Sequence, residues 1–420
     1  MNNYNTNAQN FASKTLKISE RICKGLTKPQ FKLISQLIFG IFKSQDCKLS
    51  SIARALNEET TLKKTIERLS LFLKNFQNAE EVRDNYLGEV KKHIKDDTPL
   101  IIDDGDVVKP HGSKFEDLSL VRDGSTGKIE KGYASVGVVA LTEYKLPIPI
   151  YERIYTSKNP DFDSENTETI EALDFLDNNF SKENIRVLDR GYDRGKIYKK
   201  LLETEVKFIV RADSKRNILS KGKEINILKF AQGRKTKFAF AFKKKGGVKA
   251  DLRVAIVPIK LPRFPNEKLN LVVVKGFGKQ PLMLITNLGK SRKTAETIAK
   301  IYILRWKIEE FYRLKKEGYN FEDFRVRNLN AIRNLSMILN FVLGILAIMG
   351  EKWRKTKVFS YFIQESKRIY DVAKFCLYAL ADGISALLGK IALNFCKNRR
   401  KYHDERQLSF FGKPDYSYVF

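Results

Sequence analysis

The sequence predicts a mixed α/β layer that carries a β-rich insertion and is flanked by all-α regions. Three observations lead there. Between residues 96 and 210, three apolar strand-like runs are followed by helix, strand, helix and strand, the order of a sheet with mixed strand directions. Between residues 211 and 287 the texture changes. Phe238, Phe240 and Phe242 alternate with Ala239 and Ala241, and Gly246-Gly247 punctuates a hairpin. On either side of this region, apolar residues recur at three- and four-residue steps, as amphipathic helices require.

Composition narrows the partner before any motif is read. The chain has 420 residues and a net charge of +29, which demands an anionic partner, nucleic acid ahead of an acidic membrane surface. The charge is unevenly spread. Residues 96–206 hold 15 Lys/Arg against 23 Asp/Glu, net −8, whereas residues 207–285 hold 20 against 4, net +16. An acidic island inside a basic chain suits a site that holds divalent metal against a nucleic-acid backbone. Cys23, Cys47, Cys376 and Cys396 have no CxxC spacing, and His93, His111 and His403 lie far apart. Neither set reads as a disulfide framework or a zinc site. The most apolar run, Leu335–Gly350, includes Ser336 and Asn340. It is short for a membrane span and reads as a buried helix, so no membrane partner is expected.

Taken in order, residues 1–15 are polar and Asn-rich and predict a disordered tail. Residues 16–95 predict a helical DNA-binding domain. Within it, Leu49–Asn75 reads as two short helices, the first capped by Ser50 or Ser51 and the second by Thr60 or Thr61. Arg54, Lys63, Lys64 and Arg68 on these helices could face a DNA backbone. The reading is a helix-turn-helix-like module, and the alternative is a plain bundle with a solvated basic face.

Residues 96–320 predict the catalytic domain. Pro99–Asp104, Tyr133–Leu141 and Pro147–Tyr155 read as strands, the last two joined tightly through Tyr144–Leu146. Ser164–Phe180 is a helix capped by Ser164 with acids early in it. Ile185–Asp189 is a strand, Arg190–Asp193 a turn, Gly195–Glu203 a helix and Val206–Val210 a strand. Asp104 and Asp189 thereby fall at the carboxyl ends of strands, where ligand chemistry gathers in such sheets. Asp103 and Asp106 compete with Asp104 for that role. The insertion, residues 211–287, includes β-rich Leu252–Ile259 and Leu269–Val274. Its charge suggests a clamp on nucleic acid, the alternative being a structural insertion with Lys-protected edges. Residues 321–420 predict further helices, with Ala373–Phe395 among them.

Ile301–Gly318 has no Pro and no internal Gly and predicts a single helix. At about 100° per residue, Tyr302, Arg305, Glu309 and Lys316 share an arc of about 60°. One carboxylate on a face with two cations and a phenol suits a metal ligand flanked by groups that grip phosphate. An amphipathic helix with a salt-bridged face would look similar. Asp104, Asp189 and Glu309 together would suit two divalent ions about 3.5–4 Å apart, although any basic α/β protein has spare acids.

The helix reads Tyr302-x2-Arg305-x3-Glu309-x6-Lys316 inside LRWKIEEFYRLKKEG. This resembles the Y-x2-R-x3-E-x6-K motif of the family-four insertion-sequence transposases, a branch of the DDE superfamily with an RNase H-like fold. Leu188–Asp193 resembles the segment that carries the family's second aspartate, and Ile101–Val108 the segment that carries the first. The resemblance covers about residues 16 to 400. It implies that Asp104, Asp189 and Glu309 are catalytic metal ligands, with Asp104 favoured because the family's aspartate follows an acid or small residue at the strand end. It implies that Tyr302, Arg305 and Lys316, helped by Arg190, contact phosphates of the transposon end. It further implies two Mg²⁺ ions (Mn²⁺ as substitute), double-stranded DNA partners (terminal inverted repeats and target), a homodimer in the DNA complex, and a cytoplasmic, nucleoid-associated prokaryotic protein. The activity implied is cutting and joining of insertion-sequence ends. The rival readings are a catalytically inactive DNA-pairing relative and an RNase H-type structure-selective nuclease. Some relatives carry a base-stacking Trp in the insertion, where Pro281–Thr286 here has Leu282 and Met283.

Overall fold

The computed structural model describes residues 2–243, 249–354, 356–367 and 376–390. Five helices open the chain: α1 (Asn2–Ile22), α2 (Lys28–Ser44), α3 (Leu49–Leu56), α4 (Leu62–Asn75) and α5 (Ala79–Val90). The expected disordered tail is instead most of α1. Ala8, Phe11 and Ala12 are buried, and the Phe11 ring meets Phe42 edge-on at 5.0 Å between centroids. Apolar anchors three and four residues apart outweigh the polar Asn-rich composition that predicted disorder. A capping box, Thr27 with Gln30, starts α2. Thr61 caps α4 through the Lys64 N–H at 3.4 Å. The cap position of α3 is Lys48, which makes no side-chain cap; Ser50 and Ser51, the expected caps, lie inside the helix, where Ser51 donates to Asp46.

The central sheet follows. Its strands are β1 (Leu100–Val108), β2 (Ser119–Arg122), β3 (Ile129–Leu141), β4 (Pro147–Tyr155), β5 (Arg186–Leu188) and β6 (Phe208–Arg211), with helices α6 (Glu165–Asn179) and α7 (Gly195–Glu203) between them. β4 and β2 share one edge of β3, β3 runs antiparallel to β1, and β1, β5 and β6 are parallel neighbours. Three antiparallel strands joined to two parallel ones, in the order β4-β3-β1-β5-β6, make an RNase H-like sheet. Ser164 caps α6 as its sequence suggests, accepting from the Thr167 N–H at 3.3 Å.

The insertion does not form a separate lobe. Its strands are β7 (Asn217–Ser220), β8 (Lys223–Asn226), β9 (Phe238–Lys243), β10 (Lys249–Leu261), β11 (Phe264–Lys275) and β12 (Leu282–Thr286), with α8 (Ile227–Gly233) between β8 and β9. β12 pairs antiparallel with β6, so β12, β11 and β10 extend the same sheet. β9 pairs with β10, Lys243 opposite Lys249. The Gly246-Gly247 turn expected between them lies outside the described residues.

After β12 come α9 (Arg292–Ile303), α10 (Trp306–Arg313), a π-helical turn over Leu314–Gly318, α11 (Leu329–Trp353), α12 (Lys357–Glu365) and α13 (Cys376–Gly389). Of the expected helix Ala373–Phe395, the parts before Cys376 and after Lys390 lie outside the described residues. α11 is long and apolar enough to cross a membrane, but 89% of its most apolar window is buried within the protein. It is the hub of the structure. Asn334 donates to the Leu73 carbonyl at the end of α4 at 2.8 Å. On another side, Tyr86 of α5 lies so close to Gly344 that a Cβ there would stand 1.9 Å from its hydroxyl, and that hydroxyl donates to the Pro149 carbonyl of β4. The N- and C-terminal helices therefore share one core around α11, and that core reaches the sheet.

Candidate active site

The register of the sheet brings two acids together. Ile102 of β1 lies opposite Leu188 of the parallel strand β5, so Asp103 and Asp189 are the next residues side by side; Asp189 follows the end of β5, but β1 runs on to Val108, so its aspartates lie within the strand and not at its carboxyl end as expected. Successive strand residues point to opposite faces, and this separates Asp103 from Asp104. Asp103 lies in a crosswise row with Gly137 and Glu152 on the face covered by α10. Asp104 lies in the row with Val136 and Arg153 on the opposite face, where Arg153 binds Glu168 of α6. There the Tyr192 hydroxyl donates to Asp104 at 2.6 Å. The acid that joins Asp189 and Glu309 is thus Asp103, not the favoured Asp104, and the reason is the two-residue period of the strand.

The helix expected over Ile301–Gly318 is interrupted twice. At residues 304–305 the backbone tightens: Leu304, Arg305, Lys307 and Ile308 donate to carbonyls three residues back. At Leu314–Gly318 it widens into the π turn. Even so, Tyr302, Arg305 and Glu309 gather at Asp103 and Asp189. Arg305 is the centre of the constellation. Its Nη1 donates to Asp103 at 2.6 Å, its Nη2 to Glu309 at 2.6 Å, and Nη2 stands 3.7 Å from Asp189. The Tyr302 hydroxyl donates to Asp189 at 2.6 Å, and Arg211 approaches the same carboxylate at 3.5 Å.

The charges follow from this geometry. Burial pushes Asp103 up to about 7; Arg305 opposes that shift, while Asp189, Asp104 and Glu309 add to it. Burial would also raise Asp189, but Arg305, the Tyr302 phenol and the Arg190 backbone N–H hold it below its ordinary value. Burial works against the Arg305 charge, yet Asp103, Asp189, Tyr302 and Glu309 outweigh it and raise that guanidinium further. Burial, then Asp189, raises Tyr302.

The other expected contacts are placed as follows. Lys316 is paired with Asp106 at 2.6 Å and Glu322 at 3.1 Å. The Arg190 side chain lies 3.8 Å from Asp213, outside the acid cluster. Arg54 is exposed and donates to the Ser50 carbonyl of its own helix. Lys63 and Lys64 are exposed, Lys63 with its side chain 86% accessible. Arg68 does not face outward alone; it binds Glu58 and Gln36. Leu282 and Met283 are buried in β12. Lys109, just past β1, is buried, donates to the carbonyls of Glu322 and Phe324 and lies 3.7 Å from the Phe324 ring centre.

Two residues at the site escaped the sequence reading. Tyr312 lies flat on two glycines: a Cβ at Gly105 would come within 3.0 Å of its ring, and one at Gly137 within 2.4 Å of its hydroxyl. That hydroxyl donates to the Asp103 carbonyl at 2.9 Å. The glycines let α10 approach the sheet closely enough for Glu309 to share Arg305 with Asp103. The second is Tyr192, which holds Asp104 away on the far face.

Among the described residues, no three His, Cys, Asp or Glu side chains stand ready-grouped for a metal ion; the three acids meet through Arg305. Their chemistry fits one nonetheless. Three hard carboxylates around one guanidinium leave an excess of negative charge that a divalent cation would answer.

No curated protein matches the chain. Among solved structures, a similar chain is that of a piggyBac transposase in a synaptic complex with hairpin DNA: 12% identical, TM-score 0.43, covering 89% of this chain and 76% of that one. The family model described as transposase DDE domain matches residues 96–345. That match spans more than half of the chain and includes β1, β5 and α10, and the chain therefore belongs to the transposase DDE-domain family, a family of polynucleotidyl transferases.

Proposed function

We propose that this protein cuts and joins the ends of an insertion sequence by two-metal phosphoryl transfer, as a member of the family-four branch. The carrying observation is the convergence of Asp103, Asp189 and Glu309 on Arg305. Two divalent ions, Mg²⁺ or Mn²⁺ in its place, would activate water and then a 3′-hydroxyl and steady the leaving oxygen. Asp103, Asp189 and Glu309 are the oxygens that would hold them. The chain's own residues do the rest. In the free protein Arg305 and Tyr302 keep Asp189 ionised and aimed. Arg305, Tyr302 and Lys316 each hold an acid in the free protein, and each exchanges it for a phosphate of the DNA end, so the site changes partners when substrate arrives. Fixed positions for the reacting groups supply much of the rate.

In this reading residues 16–95 form the DNA-binding domain with Arg54, Lys63 and Lys64 toward the backbone, residues 96–320 the catalytic domain, and residues 321–420 contribute to a homodimer that pairs two ends in the cytoplasm of a prokaryotic cell. The test uses duplex DNA bearing the inverted repeats that flank the reading frame, incubated with the purified protein and Mg²⁺. Expected are nicking at the repeat boundary, strand transfer to a second duplex, and the loss of both in Glu309→Gln. Binding without breakage would instead favour an inactive pairing relative, and breakage without joining a structure-selective nuclease.

A further inference from the structure

Ten residues beyond Arg305, a second cation of the same segment reaches the same crosswise row of the sheet. Lys315 is 2% exposed. Its ammonium donates to Glu152 at 2.6 Å and to Ser336 of α11 at 2.7 Å, and it lies 4.3 Å from the centre of the Phe321 ring. Glu152 is equally hidden, with 4% of its side chain accessible, and accepts also from Asn340 at 2.8 Å. Lys315 and the hydrogen bonds from Ser336 and Asn340 hold Glu152 below its ordinary value against the pull of burial.

The register ties this pair to the reacting acids. Asp103 lies opposite Gly137 and Gly137 opposite Glu152, so the two acids flank one glycine on one face, with Tyr312 lying over that glycine. The segment from Arg305 to Lys315 therefore touches the row at three points: Arg305 on Asp103, Tyr312 over Gly137 and Lys315 on Glu152. Within the π turn the adjacent lysines go different ways, Lys315 inward to Glu152 and Lys316 to Asp106 and Glu322. A buried ion pair is weak evidence for stability but can fix one arrangement among several.

We propose that Glu152 and Lys315 are positioning residues that hold α10, and with it Glu309, in register with Asp103 once Arg305 gives up its acids. The inference rests on the two-metal reading of the site. Of the two charged contacts to the row, Arg305–Asp103 competes with DNA and metal, whereas Lys315–Glu152 is sealed from both. Neither residue touches substrate.

The experiment compares the parent with Glu152→Gln/Lys315→Met, in which both charges are removed together so that none is left buried alone. Expected are a retained fold by circular dichroism and retained affinity for the DNA end. Mn²⁺ binding measured by calorimetry weakens about tenfold, and kcat for end cleavage falls about a hundredfold with KM for DNA unchanged, the scale for a misplacement of about 1 Å. Unchanged Mn²⁺ binding and kcat would overturn the proposal. Should the double variant not fold, Ser336→Ala is measured in its place, with a severalfold weaker Mn²⁺ affinity expected and parental affinity counting against the pair. A parent that binds Mn²⁺ but breaks no DNA defeats the transposase reading, and the positioning role is then judged on Mn²⁺ affinity alone.

Discussion

Asp103 and Arg305, 202 residues apart in the chain, meet at 2.6 Å, and that contact settles which of two adjacent aspartates faces the helix. Asp104, on the opposite face, is occupied with Tyr192. Replacing Asp103 by Asn should lower end cleavage by about a hundredfold or more, the scale for removing one group that stabilises developing charge. Asp104→Asn should stay within about tenfold of the parent. Rates for the two variants on the same duplex check this, and equal losses would refute the assignment.

The pH dependence of the metal-free protein follows from the same carboxyl. Asp103 is raised from an ordinary 3.8 to about 7 in the fold. Between about pH 4 and pH 7 the folded state keeps a proton that the unfolded chain has released, so this group's contribution makes stability fall as pH rises through that window. Melting temperatures of metal-free parent and Asp103→Asn across it should differ in slope, the variant being flatter. Mg²⁺ should restore stability at the upper end, because an ion bound only by the folded state favours it.

Arg305 answers the negative charge of three acids. Arg305→Ala should destabilise the metal-free protein by about 3–5 kcal/mol, as when one partner of a largely buried pair is removed. It should also tighten Mn²⁺ binding, since the ion no longer competes with a guanidinium. Denaturant unfolding and calorimetry read the two effects separately. A variant with parental Mn²⁺ affinity would show that Arg305 does not share the ions' ligands.

Phe11 tests the first helix. Its ring packs against Phe42, Trp353 and Phe362 at 5.0, 6.0 and 6.1 Å, so Phe11→Ala should cost about 3–5 kcal/mol. A disordered tail would cost nothing, and urea unfolding distinguishes the two.

The elements that fixed-period patterns mark were legible in the sequence. α7 (Gly195–Glu203) and β4 (Pro147–Tyr155) have the bounds expected of them, the Ser164 cap starts α6, and β5 ends one residue before Asp189. Asp189, Glu309, Tyr302 and Arg305 could be nominated because strand ends and helix spacing are local properties. The choice between Asp103 and Asp104 could not be made, since it depends on which face α10 covers, a tertiary fact. The two interruptions of Ile301–Gly318 were hidden as well: the sequence there has good helix formers throughout, and nothing local marks residues 304–305 or Leu314–Gly318 as departures. Arg68 looked like a free cation because Glu58, ten residues earlier, sits outside helical spacing. The association of the first helices with α11 joins segments some 260 residues apart, beyond the reach of any local pattern.

The seam between β6 and β12 has a mechanical meaning. β6 is bonded on one side to the strand that leads into Asp189 and on the other to the last strand of the insertion. Force on the long β10–β11 arm therefore passes through the peptide hydrogen bonds of β12, β6 and β5 to the tip that carries a reacting acid. Any graft that replaces the arm must keep Leu282–Thr286, the strand that joins it to β6.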